Sequence, residues 1–109
     1  MHRTVIVARM LPDAAGEVAA VFADSDRRSG LPAAIGVRAR SLFQFGDLYL
    51  HLVESDRPLG EAVSEHRDDP RFRRVSENLR PFISPYQPAV WREAKDAMAH
   101  EFYRWASHG

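Results

Sequence analysis

The stretch Ile35-Gly36-Val37-Arg38-Ala39-Arg40-Ser41-Leu42-Phe43-Gln44-Phe45-Gly46-Asp47-Leu48-Tyr49-Leu50-His51-Leu52-Val53-Glu54 decides the fold. Val37, Phe43 and Phe45 share one parity, while Arg38, Arg40, Leu42 and Gln44 share the other. That is the two-residue period a pleated strand imposes on side chains facing opposite ways. Gly46-Asp47 interrupts the run with residues that tolerate tight-turn geometry, although in the order opposite to the stronger Asp-Gly signal. The pattern predicts an antiparallel hairpin, Ile35–Phe45 with Leu48–Glu54, in which Tyr49 and His51 share one face.

Upstream, Thr4 to Met10 is rich in β-branched and apolar residues and predicts a first strand, broken by Pro12-Asp13. Val18, Val21 and Phe22 then recur at three- and four-residue spacing, so a helix with Asp13 at its N-cap is expected, ended by Leu31-Pro32. Downstream of the hairpin, Pro58 opens a helix whose Leu59, Ala62, Val63 and His66 share a face, and Asp68-Asp69-Pro70 stops it. Phe72, Val75, Leu79 and Phe82 mark another amphipathic helix. Prolines 81, 85 and 88 make Ser84–Lys95 a loop, packed down by Tyr86 and Trp91. Met98–Ala106 alternates again and predicts a final strand.

The resulting order, βαββαβ with a split second helix, is α+β: a ferredoxin-like, four-stranded antiparallel sheet with helices on one face. A sheet with apolar residues on both parities needs cover on its second face, so a homodimer in which two sheets meet as a dimeric α/β barrel is expected.

Composition narrows the chemistry. A chain of 109 residues suits a single domain spanning residues 1–109. Fifteen basic residues balance fifteen acidic ones, so there is no excess positive charge with which to bind nucleic acid. The absence of cysteine excludes disulfides, zinc–thiolate sites and thiol nucleophiles. No apolar run approaches the roughly 20 residues needed to span a bilayer. Arg3 and Arg9 bracket the first apolar stretch in place of a signal-peptide core, so a cytoplasmic location without membrane partners is expected.

The hairpin resembles that of the tetracenomycin-type cyclases and their spore-pigment relatives in type II aromatic polyketide pathways. The same order of landmarks runs through Asp69-Pro70-Arg71-Phe72, Leu79-Arg80-Pro81-Phe82, Pro85-Tyr86, Lys95-Asp96 and Phe102-Tyr103-Arg104-Trp105, so the resemblance covers nearly the whole chain. It implies a dimeric cyclase that takes up an aromatic polyketide intermediate and directs intramolecular aldol condensation and dehydration. No cofactor and no metal are implied, and a contact with an acyl carrier protein is one route of substrate delivery. The family's functional positions match here as Asp26, Arg40 and His51. Its histidine before the aspartate is Ser25 in this chain, a substitution associated with the spore-pigment branch.

An aldol closure needs an acidic carbon proton removed, an enolate stabilised and a carbonyl protonated. The β-dicarbonyl protons are already acidic, so holding the chain in one geometry is the larger task. His51 is the candidate general acid and base because a free imidazole titrates near neutrality. Arg40 is the candidate cation for the enolate oxygen, with Arg38 expected beside it by parity. Asp26 is a candidate base or orienting group. Tyr49, Ser25 and His66 are candidate substrate contacts, Tyr49 as a phenol donor. Each also has a purely structural role open to it, as a core residue, a surface ion pair or a helix-end cation. Two other activities suit the same pocket: cofactor-independent oxygenation of a polyketide hydroquinone, and non-catalytic shielding of the intermediate.

Overall fold

The computed structural model describes residues 1–107. The elements are β1 (His2–Met10), α1 (Ala15–Arg28), a short α2 (Leu31–Ala34), β2 (Val37–Phe45), β3 (Leu48–Ser55), α3 (Leu59–Glu65), α4 (Pro70–Leu79) and β4 (Ile83–Pro85). The sheet order is β2-β3-β1-β4 with every pair antiparallel, so the α+β ferredoxin-like arrangement holds.

The hairpin forms where the alternation places it. Its two-residue turn has positive φ at Gly46 alone (59°), the form that wants glycine first, which accounts for the Gly-Asp order. The Asp47 carbonyl accepts from the Met10 amide at 2.8 Å and its carboxylate pairs with Arg9, fastening the hairpin tip to β1. Near its start β2 departs from simple parity. Val37 pairs with Ser55 and Ala39 with Glu54, so one residue is inserted as a β-bulge. After the bulge Val37 and Arg40 share the helix-covered face, and Arg38 leaves it.

Three further expectations are corrected. Asp13 makes no cap bond to α1; Ala14 occupies that position with no side-chain cap. Leu31-Pro32 opens α2 rather than closing a helix, with the reversal made at Gly30 (φ 68°). The final strand is Ile83–Pro85, not Met98–Ala106. β4 occupies one end of the β1 edge, pairing with Ala8, Arg9 and Met10. Further along that edge the chain returns only as a bridge from Met98 to Ile6 and a bond from the Ala99 amide to the Val5 carbonyl. Residues 99–107 then run on without regular structure, fully at the surface.

The helices cover one sheet face, and partly buried Ile6, Val37, Phe72 and Val75 link the fully buried residues into one core. Buried residues fall into three clusters: one around Ala8, Met10, Val18, Phe22 and Tyr49, a second around Leu31, Ile35 and Ala62, and a third around Val53, Leu59 and Val63. α4 starts well, with Pro70 at its first position and the Asp69 carboxylate accepting from the Arg71 amide at 2.8 Å. It contains no fully buried residue, and Phe72, Val75 and Leu79 are only partly covered. Among the described residues no helix is long and apolar enough to cross a membrane.

Phe22 belongs to the first cluster and touches two polar groups as well. Its ring lies 4.9 Å beneath the Arg40 guanidinium carbon and meets the His51 ring edge-on at 5.0 Å. Phe22→Ala is expected to cost about 3 kcal/mol through lost burial and the cavity left behind. That lowers the melting temperature by about 12 °C in a thermal unfolding scan. Phe22→Leu, which keeps most of the volume, is expected to cost about 1 kcal/mol. Equal melting points for the alanine variant and the parent would contradict this packing.

Candidate active site

Between the helices and the sheet lies a cavity of about 470 Å³, within the range of sites that hold a small organic molecule. Ile6, Ala8, Val37 and Val53 form part of its floor; Phe22, Phe72, Val75 and Leu79 close it from the helices; Trp91 and Met98 approach from the C-terminal loops. The walls are predominantly apolar. Polar groups concentrate where α1 crosses β2 and β3.

There the fold joins four side chains in series. The Asp26 oxygens accept from Nε and Nη2 of Arg40, each at 2.9 Å, a two-pronged ion pair. Nη1 of Arg40 lies 3.0 Å from Nε2 of His51. Nδ1 of His51 lies 2.8 Å from the Tyr49 hydroxyl. A guanidinium has donors and no acceptor, so Nε2 of His51 must accept. Asp26 comes from the last turn of α1, a helix whose Phe22 and Ser25 line the cavity. Arg40, His51 and Tyr49 come from the sheet face that the bulge and the β2–β3 register bring into line.

The electrostatics follow from burial. His51 is 5% exposed; burial first and the Arg40 charge second push its imidazole down from the ordinary value of 6.5 to about 3. The ring is therefore neutral at physiological pH, unlike the freely titrating imidazole expected from sequence. Burial pushes the Tyr49 phenol up, opposed only in part by Arg40, so it stays protonated. Arg40 is largely buried, yet its guanidinium lines the cavity and three of its five N–H groups are engaged by Asp26 and His51.

The other named residues divide. Ser25 lines the cavity, its hydroxyl 3.1 Å from that of Ser29. Arg38 lies outside it, exposed and paired with Asp56 through Nε at 2.9 Å, because the bulge turns it away from Arg40. His66 is also outside the lining; it closes α3, with Nδ1 donating to the Ala62 carbonyl at 2.8 Å. Of the aromatics, Phe22, Tyr49, Phe72 and Trp91 reach the cavity, while Phe43, Phe45, Phe102, Tyr103 and Trp105 are exposed. Sequence reasoning gave Phe22 only a core role and missed Ser76, Arg80 and Ser84 on the lining. The spacing that put Phe22 on the apolar stripe of α1 with Ser25 three residues on was the available signal. Among the described residues no cluster of histidines and carboxylates is arranged to hold a metal ion.

A four-stranded antiparallel sheet roofed on one side by helices, around a predominantly apolar cavity with a polar corner, defines a ferredoxin-like pocket protein. Within that class the chain belongs to the polyketide synthesis cyclase family, whose model matches residues 2–106. It is 55% identical over 106 residues to the uncharacterized protein SCO5314 of Streptomyces coelicolor, covering 96% of this chain and 95% of that one. It is 42% identical over 105 residues to the polyketide synthase CurG of Streptomyces cyaneus, covering 96% and 97% of the two chains. The solved structure of tetracenomycin F2 cyclase from Streptomyces glaucescens, a type II polyketide cyclase, superposes with a TM-score of 0.90 at 42% identity, over 98% of this chain and 99% of that one.

Proposed function

We propose that this chain is a cofactor-free cyclase of aromatic polyketide biosynthesis, in an antibiotic or spore-pigment pathway. It folds a poly-β-ketone or partly cyclised intermediate and promotes one regiospecific intramolecular aldol condensation with dehydration. The observation that carries the reading is the cavity of about 470 Å³ with predominantly apolar walls and the ion-paired guanidinium of Arg40 at its polar corner. The apolar walls suit a flat, conjugated chain and restrict which carbons meet. The two remaining N–H groups of Arg40 suit an oxygen that gains negative charge. In the reaction a carbon between two carbonyls loses a proton, its enolate forms a carbon–carbon bond to a distant carbonyl carbon, and the alcohol so made leaves as water with a neighbouring hydrogen. No oxidant enters the balance. With His51 neutral, both its nitrogens engaged and no carboxylate on the lining, orientation and oxyanion stabilisation carry more of the rate than a dedicated base.

The reading is tested by product analysis of a minimal aromatic polyketide synthase with and without this protein, in air and under nitrogen. A new fused ring with loss of water, unchanged without oxygen, is expected. An oxygen-dependent gain in mass would replace the cyclase by an oxygenase.

The same proposal places the protein in the cytoplasm as a homodimer, receiving its substrate free or from an acyl carrier protein. The second copy covers the sheet face opposite the helices. There Phe43 and Leu50 are direct cross-strand partners, as are Phe45 and Leu48, and Phe43 and Phe45 stand 54% and 76% exposed. Light scattering is expected to give twice the 12.4 kDa chain mass. Leu50→Asp is expected to halve it without loss of far-ultraviolet circular dichroism; a dimer that survives this substitution must use another face.

A further inference from the structure

We propose that Tyr49 is the side chain that donates a hydrogen bond to a carbonyl oxygen of the bound molecule, and that Asp26, Arg40 and His51 act in series to aim that donor. The substrate class rests on the cyclase reading; the direction of the hydrogen-bond chain rests on geometry alone.

The direction is forced from one end. Asp26 accepts from Arg40 through both oxygens, which fixes the plane of the guanidinium. Nη1 of Arg40 can only donate, so the lone pair of His51 Nε2 is taken at 3.0 Å. A neutral imidazole carries one proton, and with Nε2 accepting, that proton sits on Nδ1. Nδ1–H then donates to the Tyr49 oxygen at 2.8 Å. A phenol oxygen that accepts from histidine still owns its own hydrogen, and that hydrogen has no protein acceptor among the described residues. Tyr49 lines the cavity, so a ligand oxygen is the acceptor it lacks.

Two consequences follow for the chemistry. Burial keeps the phenol protonated, so it serves as a hydrogen-bond donor rather than an acid. His51 also borders the cavity, but with both ring nitrogens engaged it offers the ligand no polar atom; it is a positioning residue that holds the Tyr49 oxygen and excludes the inverted arrangement in which the hydroxyl would point at the ring. Together with the free N–H groups of Arg40, the hydroxyl gives the cavity two kinds of donor directed at oxygen.

The test has one readout that needs no substrate and one that needs a simple probe. In ¹⁵N-labelled protein at pH 7, a long-range ¹H–¹⁵N correlation spectrum, with His51 assigned by its loss in His51→Gln, is expected to show the Nδ1–H tautomer, and Arg40→Gln to abolish that preference. Anthraquinone-2-sulfonate and anthracene-2-sulfonate differ only in the two carbonyls, and their binding is followed by Trp91 fluorescence in a Trp105→Phe background. Tyr49→Phe is expected to weaken the quinone about fivefold, the value of one neutral hydrogen bond, and to leave the hydrocarbon unchanged. An Nε2–H tautomer, or equal losses for both probes, would overturn the inference. A failed ring closure in the reconstituted synthase with these readouts intact would sink the cyclase reading and leave the wiring standing.

Discussion

Arg40→Gln is expected to slow ring closure by about two orders of magnitude, the range found when a preorganised donor to a developing oxyanion is removed. Arg40 is the cation tied into the polar corner. The other arginine on the cavity lining, Arg80, is paired with Glu77 at 3.3 Å, with both side chains largely exposed. Water is a poor replacement, because it carries no charge and must be reoriented to face the oxygen, whereas the guanidinium is already fixed in place by Asp26. The fold is expected to survive, since Asp26 is one-third exposed and solvent can take over its charge. Arg40→Lys, which keeps the charge but loses the planar fork, is expected to fall between the two. The rate is read as product formed per unit time by the reconstituted synthase, with circular dichroism as the control for folding. A glutamine variant within about threefold of the parent would mean that the protein only contains and orients its ligand.

The second large effect is on stability against pH, and its sign follows from His51. The unfolded chain binds a proton at this residue near the ordinary value of 6.5, whereas the folded protein resists it down to about 3. Between these values the unfolded state holds more protons, so falling pH favours unfolding. The stability present above about pH 6.5 is lost progressively towards pH 3, to a depth of about 4 kcal/mol. Asp69, held down to about 2 by its bonds from Arg71, adds a smaller loss of the same sign at still lower pH. Urea unfolding midpoints at pH 7 and pH 4 measure the difference. In His51→Gln, which has nothing to protonate, most of the change is expected to vanish. An unaltered change would assign the acid sensitivity to other groups.

How much of this was legible in the sequence depends on what each feature obeys. The hairpin was, because Phe43, Phe45, Tyr49 and His51 keep a strict period of two and Gly46 marks the turn. Arg40, His51 and Asp26 were named through resemblance, and the fold brings them into hydrogen-bonding contact. Arg38 was misplaced because parity counts residues and a bulge inserts one without any compositional mark. Met98–Ala106 alternates as a strand does, yet β4 and the Met98 bridge already occupy the β1 edge, and alternation says nothing about which edge is vacant. The depressed basicity of His51 was invisible because burial is a property of the assembled sheet and helices. Phe22 was seen as core and is core, but its second role, under a guanidinium and against an imidazole, exists only once α1 is laid across β2 and β3.

The cavity in the core and the partly covered α4 have a bearing on how the protein's stability depends on its ligand. Most domains of this size fill their own middle; here a cavity of about 470 Å³ lies between the helices and the sheet. A flat aromatic guest would lie against Phe72, Val75 and Leu79 and cover the part of them that their packing on the core leaves open. Loading would then add to the core, and the occupied protein would be the sturdier one by mass action. On the cyclase reading the same coupling would run backwards at the end of a turnover, when release of the finished ring system would require the protein to surrender part of its own interior.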